Sequence, residues 1–232
     1  MTTQTMDMLP NLLKAESQAA KLFQEIETRQ LIVPGISEKD LNDRVYELAF
    51  ELFGIRKYWH KRIVRAGKNT LLPYKQNPEN LMLQEDDIVF LDFGPVFDEW
   101  EADYGRTFVL GSDPVKHKLN ADLEKAFKQA KEFYEQKEGQ VTGSQIYQYV
   151  CDLAQQYGWE YGGPYAGHLV GKFPHEKVLG DDIPHYIHPD NHELMSNPDQ
   201  FGNKRYWILE IHFVTRSQQF GGFLEQLLTT DF

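Results

Sequence analysis

One cysteine, Cys151, is the only thiol in this 232-residue chain, so no internal disulfide can staple it, and a reducing compartment fits. Cys151 lies inside an apolar helical pattern and reads as a buried inert thiol rather than a nucleophile. Long apolar runs are missing as well. None reaches the length of a membrane span, and the N-terminal MTTQTMDMLPNLLKAESQ has neither the basic leader nor the apolar stretch of a signal peptide. A cytoplasmic protein with no membrane partner is the expectation. Clusters of Lys and Arg are also lacking: 24 basic residues stand against 35 acidic ones, the net charge is −11 and the pI is near 5.2. Binding a phosphate backbone needs clustered cations, so no nucleic-acid partner is expected. What is present argues for a packed globule, with 41% apolar and 13% aromatic residues to fill a core.

Apolar residues at helical spacing from Met8 to Ile26 predict a long amphipathic helix ending near Arg29. Pro34-Gly35 breaks the chain, and Ser37 caps a second helix over about Glu38 to Phe53 that stops at Gly54. Lys57 to Ala66 reads as extended and Gly67 to Asn80 as loop. A charged helix over about Pro114 to Lys137 follows, then a helix over about Gln145 to Tyr157, capped by Thr142 or Ser144 and ended by Gly158. Offset by 105 residues, Ser37, Leu41, Val45 and Leu48 coincide with Thr142, Ile146, Val150 and Leu153, a weak internal repeat.

Acidic residues inside apolar strands are the informative feature. DIVFLDFGPVF and EWEADYGRTFVLG read as the arms of one β-hairpin, each carrying an aspartate, Asp92 and Asp103, eleven residues apart. A reversal near Phe97-Asp98 sets the two roughly opposite each other. NKRYWILEIHFVTR and FGGFLEQLLTT form a second such hairpin with Glu210 and Glu225. Two halves packed about a pseudo-twofold axis bring four carboxylates to one cleft, where repulsion and lost hydration demand protons or cations. The glycine-rich YAGHLVGKFPHE adds His168 and His175, and an imidazole donor favours a metal.

This ordered set resembles the pita-bread metallopeptidases, the family of methionine aminopeptidase, aminopeptidase P and prolidase. The resemblance runs from about Gly35 to the C-terminus and rests on Asp92, Asp103 in its DYGRTF context, His168 opening a GHxxGxxxHE-like segment, Glu210 and Glu225. It implies an α+β pita-bread (creatinase/aminopeptidase) fold: two pseudo-symmetric halves, about 31–112 and 138–232, with an antiparallel sheet and flanking helices, preceded by a helix within 1–30, all one catalytic domain. It further implies a hydrolase with two divalent ions, bridged by Asp103 and Glu225, with Asp92 completing one site and His168 with Glu210 the other. A metal-bridging hydroxide is then the nucleophile, Glu210 the proton shuttle and His175 the substrate contact. Oxygen-rich ligation with one imidazole favours manganese, with cobalt, zinc and iron as alternatives. Arg106 and Thr107 are expected to orient the carboxylates from behind. The RTF sequence resembles the Xaa-Pro branch, so the expected activity is a metallo-aminopeptidase or dipeptidase that removes N-terminal residues or cleaves dipeptides among short peptides. The chain lacks room for that branch's N-terminal domain, so its cleft is shaped by the catalytic fold itself or by a second subunit in a homodimer.

Three departures bear on substrate choice. Relatives carry a histidine on the loop before the first aspartate, where LLPYKQNP offers Tyr74 or Lys75, Tyr74 being the candidate substrate contact. His60, upstream, is the alternative substitute for that histidine, although the alignment does not place it there. Leu169 replaces a glycine beside His168, and Phe223 an arginine two residues before Glu225. His185, His188 and His192 follow in a connection that matches no standard ligand spacing and reads as a wall of the cleft. The alternatives are a non-catalytic pita-bread binding protein and a creatinase-like hydrolase of a small amide or amidino compound. The complete ligand set argues against both.

Overall fold

The computed structural model describes residues 8–72, 74–175, 183–199 and 201–230. Helix α1 (Leu9–Thr28) buries Leu12, Ala15, Ala19, Leu22, Phe23 and Ile26 on one face, as its periodicity predicts. Helix α2 (Glu38–Phe53) starts where the Ser37 hydroxyl accepts the Asp40 N–H and stops at Gly54, whose φ of 69° suits glycine. Strand β1 (Ile63–Ala66) is shorter than the expected extended segment, and the following loop opens with a 3₁₀ turn over Gly67–Leu71.

The first acidic hairpin comprises β2 (Ile88–Phe93), β3 (Val96–Phe97), β4 (Trp100–Glu101) and β5 (Tyr104–Val109). Its register corrects the expected one. The reversal falls at Asp98-Glu99, both with positive φ (47° and 74°), as a two-residue type I′ hairpin turn requires. That is one residue later than Phe97-Asp98, so Asp92 faces Gly105 rather than Asp103. The same register holds through Val96↔Glu101, which places Gly94 opposite Asp103. Because side chains alternate along a strand, both aspartates still project from one face, now diagonally related and each paired with a glycine.

Helix α3 (Pro114–Gln136) is capped by Asp113. Helix α4 (Gly143–Tyr157) is capped by Thr142 in a reciprocal box with Gln145 and ends at Gly158, φ 92°. Strands β6 (Glu160–Tyr161), β7 (Gly167–Val170), β8 (Tyr206–Val214) and β9 (Gly221–Leu227) complete the chain. The sheet runs β1-β2-β5-β9-β8-β6 with β7 also on β8, and every pairing is antiparallel. The two acidic hairpins therefore join edge to edge at β5 and β9, through Gly105↔Glu225. One apolar core forms from α1 and α2 against the β1-β2 side, and another from α3 and α4 against β8 and β9. Among the described residues no helix is long and apolar enough to cross a membrane.

Candidate metal centre

Register alone lines up most of the acids. Asp92 faces Gly105, Gly105 faces Glu225 and Glu225 faces Glu210, one row across β2, β5, β9 and β8. Gly105 leaves the middle of the row open: a Cβ there would sit 2.8 Å from the Phe223 ring and 3.1 Å from the Glu225 Cβ. Asp103 lies just beyond β4, and His168 comes from β7, beside β8. His168 Nε2 is 3.0 Å from Asp103 Oδ2, 3.6 Å from Glu225 Oε1 and 3.8 Å from Glu210 Oε1. All five expected ligands thus surround one cleft of about 410 Å³.

A sixth donor completes the group, and the sequence did not place it there. His60 precedes β1 and sets its Nε2 3.0 Å from Asp103 Oδ1 and 3.5 Å from Asp92 Oδ1. Two clusters with donor atoms within 4.8 Å of one another result, His60/Asp92/Asp103 and Asp103/His168/Glu225, sharing Asp103. Gly94 admits the ring, since a Cβ at that position would lie 2.1 Å from His60 Cδ2. The neighbouring Trp59 indole donates to the Ala102 carbonyl and packs edge-on against His60, His168 and His175, with ring centroids 4.5, 5.1 and 5.5 Å away. The D-x-G spacing in both LDFG and ADYG was the available signal for these close approaches.

Electrostatics mark the centre as unbalanced. Burial raises Asp92 to about 7, even though His60 opposes the shift, and raises Glu210 to about 8. Burial together with Asp103 and Asp92 pushes Glu225 well above the carboxylate range. Burial works upward on Asp103, but His60 and His168 outweigh it and lower Asp103 to about 2. For His60 burial works downward, yet Asp103 and Asp92 win and raise it to about 9. His168 behaves likewise through Asp103 and Glu225. Asp92 Oδ1 is buried and has no hydrogen-bond partner among the described residues. Four crowded carboxylates, one with an orphaned oxygen, and two imidazoles are a donor set that suits divalent cations.

His175 stands at the rim. Its Nδ1 and its backbone N–H both bond Glu101, a carboxylate only 2% exposed that also accepts from Gly171 N. In the sequence Glu101 is one acid among many, with no local pattern that marks it. Tyr74 lines the cleft with its ring 5.8 Å from His60, and its hydroxyl accepts the Lys61 N–H. Arg106 and Thr107 touch no carboxylate oxygen among these acids. Arg106 donates to the Gly105 and Glu225 carbonyls, and the Thr107 hydroxyl bonds both the N–H and the carbonyl of Phe223. Any support they lend the acids passes through the backbone of β9. Leu169 and Phe223 both line the cleft, as do His185 and Tyr186 of the later connection, of which residues 176–182 lie outside the described residues. His188 and His192 instead contact Asp190 and Ser144, and no third metal cluster forms among the described residues.

Comparison with known proteins bears on the family and the fold. The family model of metallopeptidase family M24 matches residues 11–202. An Xaa-Pro dipeptidase of Lactobacillus helveticus is 26% identical over 154 residues, covering 64% of this chain and 41% of that protein. The chain thus spans less than half of that relative's length. A prolidase from Pyrococcus horikoshii superposes with a TM-score of 0.70 at 18% identity, over 95% of this chain and 58% of its own. A methionine aminopeptidase from Thermotoga maritima superposes with a TM-score of 0.69 at 16% identity, over 98% of this chain and 99% of its own. These superpositions identify the pita-bread fold, with its antiparallel sheet and flanking helices.

Proposed function

The chain belongs to metallopeptidase family M24, and from that premise we propose that it is a metal-dependent exopeptidase hydrolysing short peptides, with Xaa-Pro bonds as the preferred substrates. The observation that carries the reading is the convergence of Asp92, Asp103, His168, Glu210 and Glu225 on one cleft, with Asp103 common to both donor clusters. In this reading the two halves, about 31–112 and 138–232, each contribute a helix and an acidic hairpin. Asp92 would hold one divalent ion and His168 with Glu210 a second, with Asp103 and Glu225 available to both. When bound, the ions supply Lewis acidity, lowering the pKa of attacking water and polarising the scissile carbonyl.

The chain's own groups do the rest. Glu210, whose carboxylate gains proton affinity from burial, accepts a proton from the attacking water and returns it to the leaving amine. His175 is fixed through Nδ1 by Glu101, which leaves Nε2 free to donate to the substrate carbonyl as negative charge develops there. Ile63, Leu72, Phe90 and Phe223 form an apolar wall of the cleft, and Phe90 and Phe223 lie with ring centroids 5.3 Å apart. Such a wall suits a pyrrolidine ring, which presents no N–H to satisfy. Tyr74, which also lines the cleft, is the candidate substrate contact on the loop before the first aspartate.

Assays of purified, Mn²⁺-supplemented protein on Ala-Pro, Gly-Pro and Met-Ala peptides, with and without chelator, test the proposal. Chelator-sensitive release of free amino acid is expected, faster from the prolyl peptides. Stoichiometric metal binding without any turnover would instead support a binding protein on the same fold.

A further inference from the structure

The ligand set implied by the family resemblance contains a single imidazole, His168, yet two imidazoles converge on Asp103 in the same manner. His168 sets Nε2 3.0 Å from Asp103 Oδ2 with Nδ1 2.8 Å from the carbonyl of the following residue, Leu169. His60 sets Nε2 3.0 Å from Asp103 Oδ1 with Nδ1 2.8 Å from the carbonyl of the following residue, Lys61. A backbone carbonyl can only accept, so Nδ1 carries the proton in the neutral ring and the Nε2 lone pair faces the acids. This is the tautomer and the outer-shell hydrogen bond that metal-ligating histidines display.

We propose that His60 is a sixth ligand, binding through Nε2 the ion that Asp92 and Asp103 hold, so that each ion of the pair carries one imidazole. The proposal rests on the two-ion reading of the cleft. Three features build the position. The His60 side chain is 9% exposed, Trp59 is pinned on both sides by its N–H to the Gly94 carbonyl and its indole N–H to the Ala102 carbonyl, and Gly94 removes the Cβ that would occupy the ring's place. Asp92 Oδ1, the orphaned acceptor, points to the same spot, 3.5 Å from Nε2. The Tyr74 ring meets the His60 ring in a T-shaped pair, centroids 5.8 Å apart. A nitrogen donor in place of an oxygen softens this site, which moves its preference from Mn²⁺ toward Co²⁺, Fe²⁺ or Zn²⁺.

Metal binding, read apart from catalysis, tests the assignment. Chelator-stripped wild type, His60→Ala, His60→Gln and His175→Ala are titrated with Mn²⁺ by calorimetry, and the Mn²⁺-loaded wild type is examined by pulsed EPR for coupled imidazole nitrogen. Two ions are expected in wild type and in His175→Ala, and two coupled imidazoles in wild type. Both His60 variants should bind one ion normally and the other at least ~10–100-fold more weakly, the loss that even outer-shell partners cause. Unchanged affinity for both ions in the His60 variants, or a single coupled imidazole in wild type, overturns the proposal while leaving the two-ion centre standing. Failure of wild type to bind any ion overturns both. The EPR measurement needs no variant, so it decides the matter even if the substitutions impair folding.

Discussion

Glu210 and Glu225 are directly opposed partners on β8 and β9, and the His168 imidazole lies 3.8 Å from one and 3.6 Å from the other. Opposed like charges at non-hydrogen-bonded or hydrogen-bonded positions destabilise a sheet. The pair therefore has a consequence for the metal-free protein that the metal-loaded protein does not share.

Without metal, Asp92 and Glu210 are raised to about 7 and about 8, and His60 to about 9. Each is raised above its unfolded value, so each contributes stability that is complete below that value and lost as pH climbs through the folded one. Asp103 has the opposite sign, but its window lies in acid, below the ordinary carboxylate range. Chelator-treated protein should accordingly melt at a lower temperature at about pH 8.5 than at about pH 5.5. Mn²⁺ displaces those protons, so the loaded protein should lose this decline, and metal affinity should rise over the same interval. A metal-free melting temperature that climbs between the two pH values contradicts the assignment of raised pKa values.

Asp103 offers one oxygen to each imidazole, at 3.0 Å in both cases. Asp103→Asn keeps the volume but gives up the charge and one acceptor, so both ions should be weakened, and turnover on a prolyl dipeptide should fall by more than about 100-fold. Elemental analysis after gel filtration reads the outcome. Two ions retained at full occupancy would refute the bridging position of Asp103.

Gly94→Ala tests the cradle of His60. The added Cβ would fall 2.1 Å from His60 Cδ2 and 2.4 Å from Trp59 Nε1, so the two rings must shift, at an overpacking cost of ~1–3 kcal/mol. The melting temperature should drop, and one ion should be bound more weakly than in wild type. Wild-type melting together with wild-type metal content would show that the contact tolerates the methyl group.

His175→Ala is expected to retain both ions while turnover falls by roughly 100-fold, the usual cost of one donor to a developing oxyanion. Glu101→Gln should show a smaller loss with the same sign, because the carboxylate only aims the ring. Metal content measured beside kcat separates the outcomes: loss of an ion in His175→Ala would make His175 a ligand.

Much of this was legible in the chain. The helix caps at Ser37 and Thr142 and the stops at Gly54 and Gly158 follow from local chemistry, and all four fell where expected. Glu210 and Glu225 could be assigned to the two arms of one hairpin because each interrupts an apolar run, and the strands pair them directly. Asp92 and Asp103 were found but misregistered, since moving a turn by one residue shifts every cross-strand partner and nothing in EWEAD distinguishes the two reversals from composition alone. That Asp98 and Glu99, neither of them glycine, adopt positive φ is a choice the hairpin imposes on its turn.

Local order along the chain specified which donors exist and on which strand faces they stand, because caps, turns and period-two alternation act over a few residues. Which of them share a cleft was set by packing over distance. Trp59, His60 and Glu101 meet partners dozens of residues away, 43 for His60 with Asp103 and 74 for Glu101 with His175. No periodicity or capping preference encodes such separations. They arise only when β5 closes on β9 and the two cores bring the sheet together, so that a histidine unremarkable in its own segment comes to rest against two buried acids.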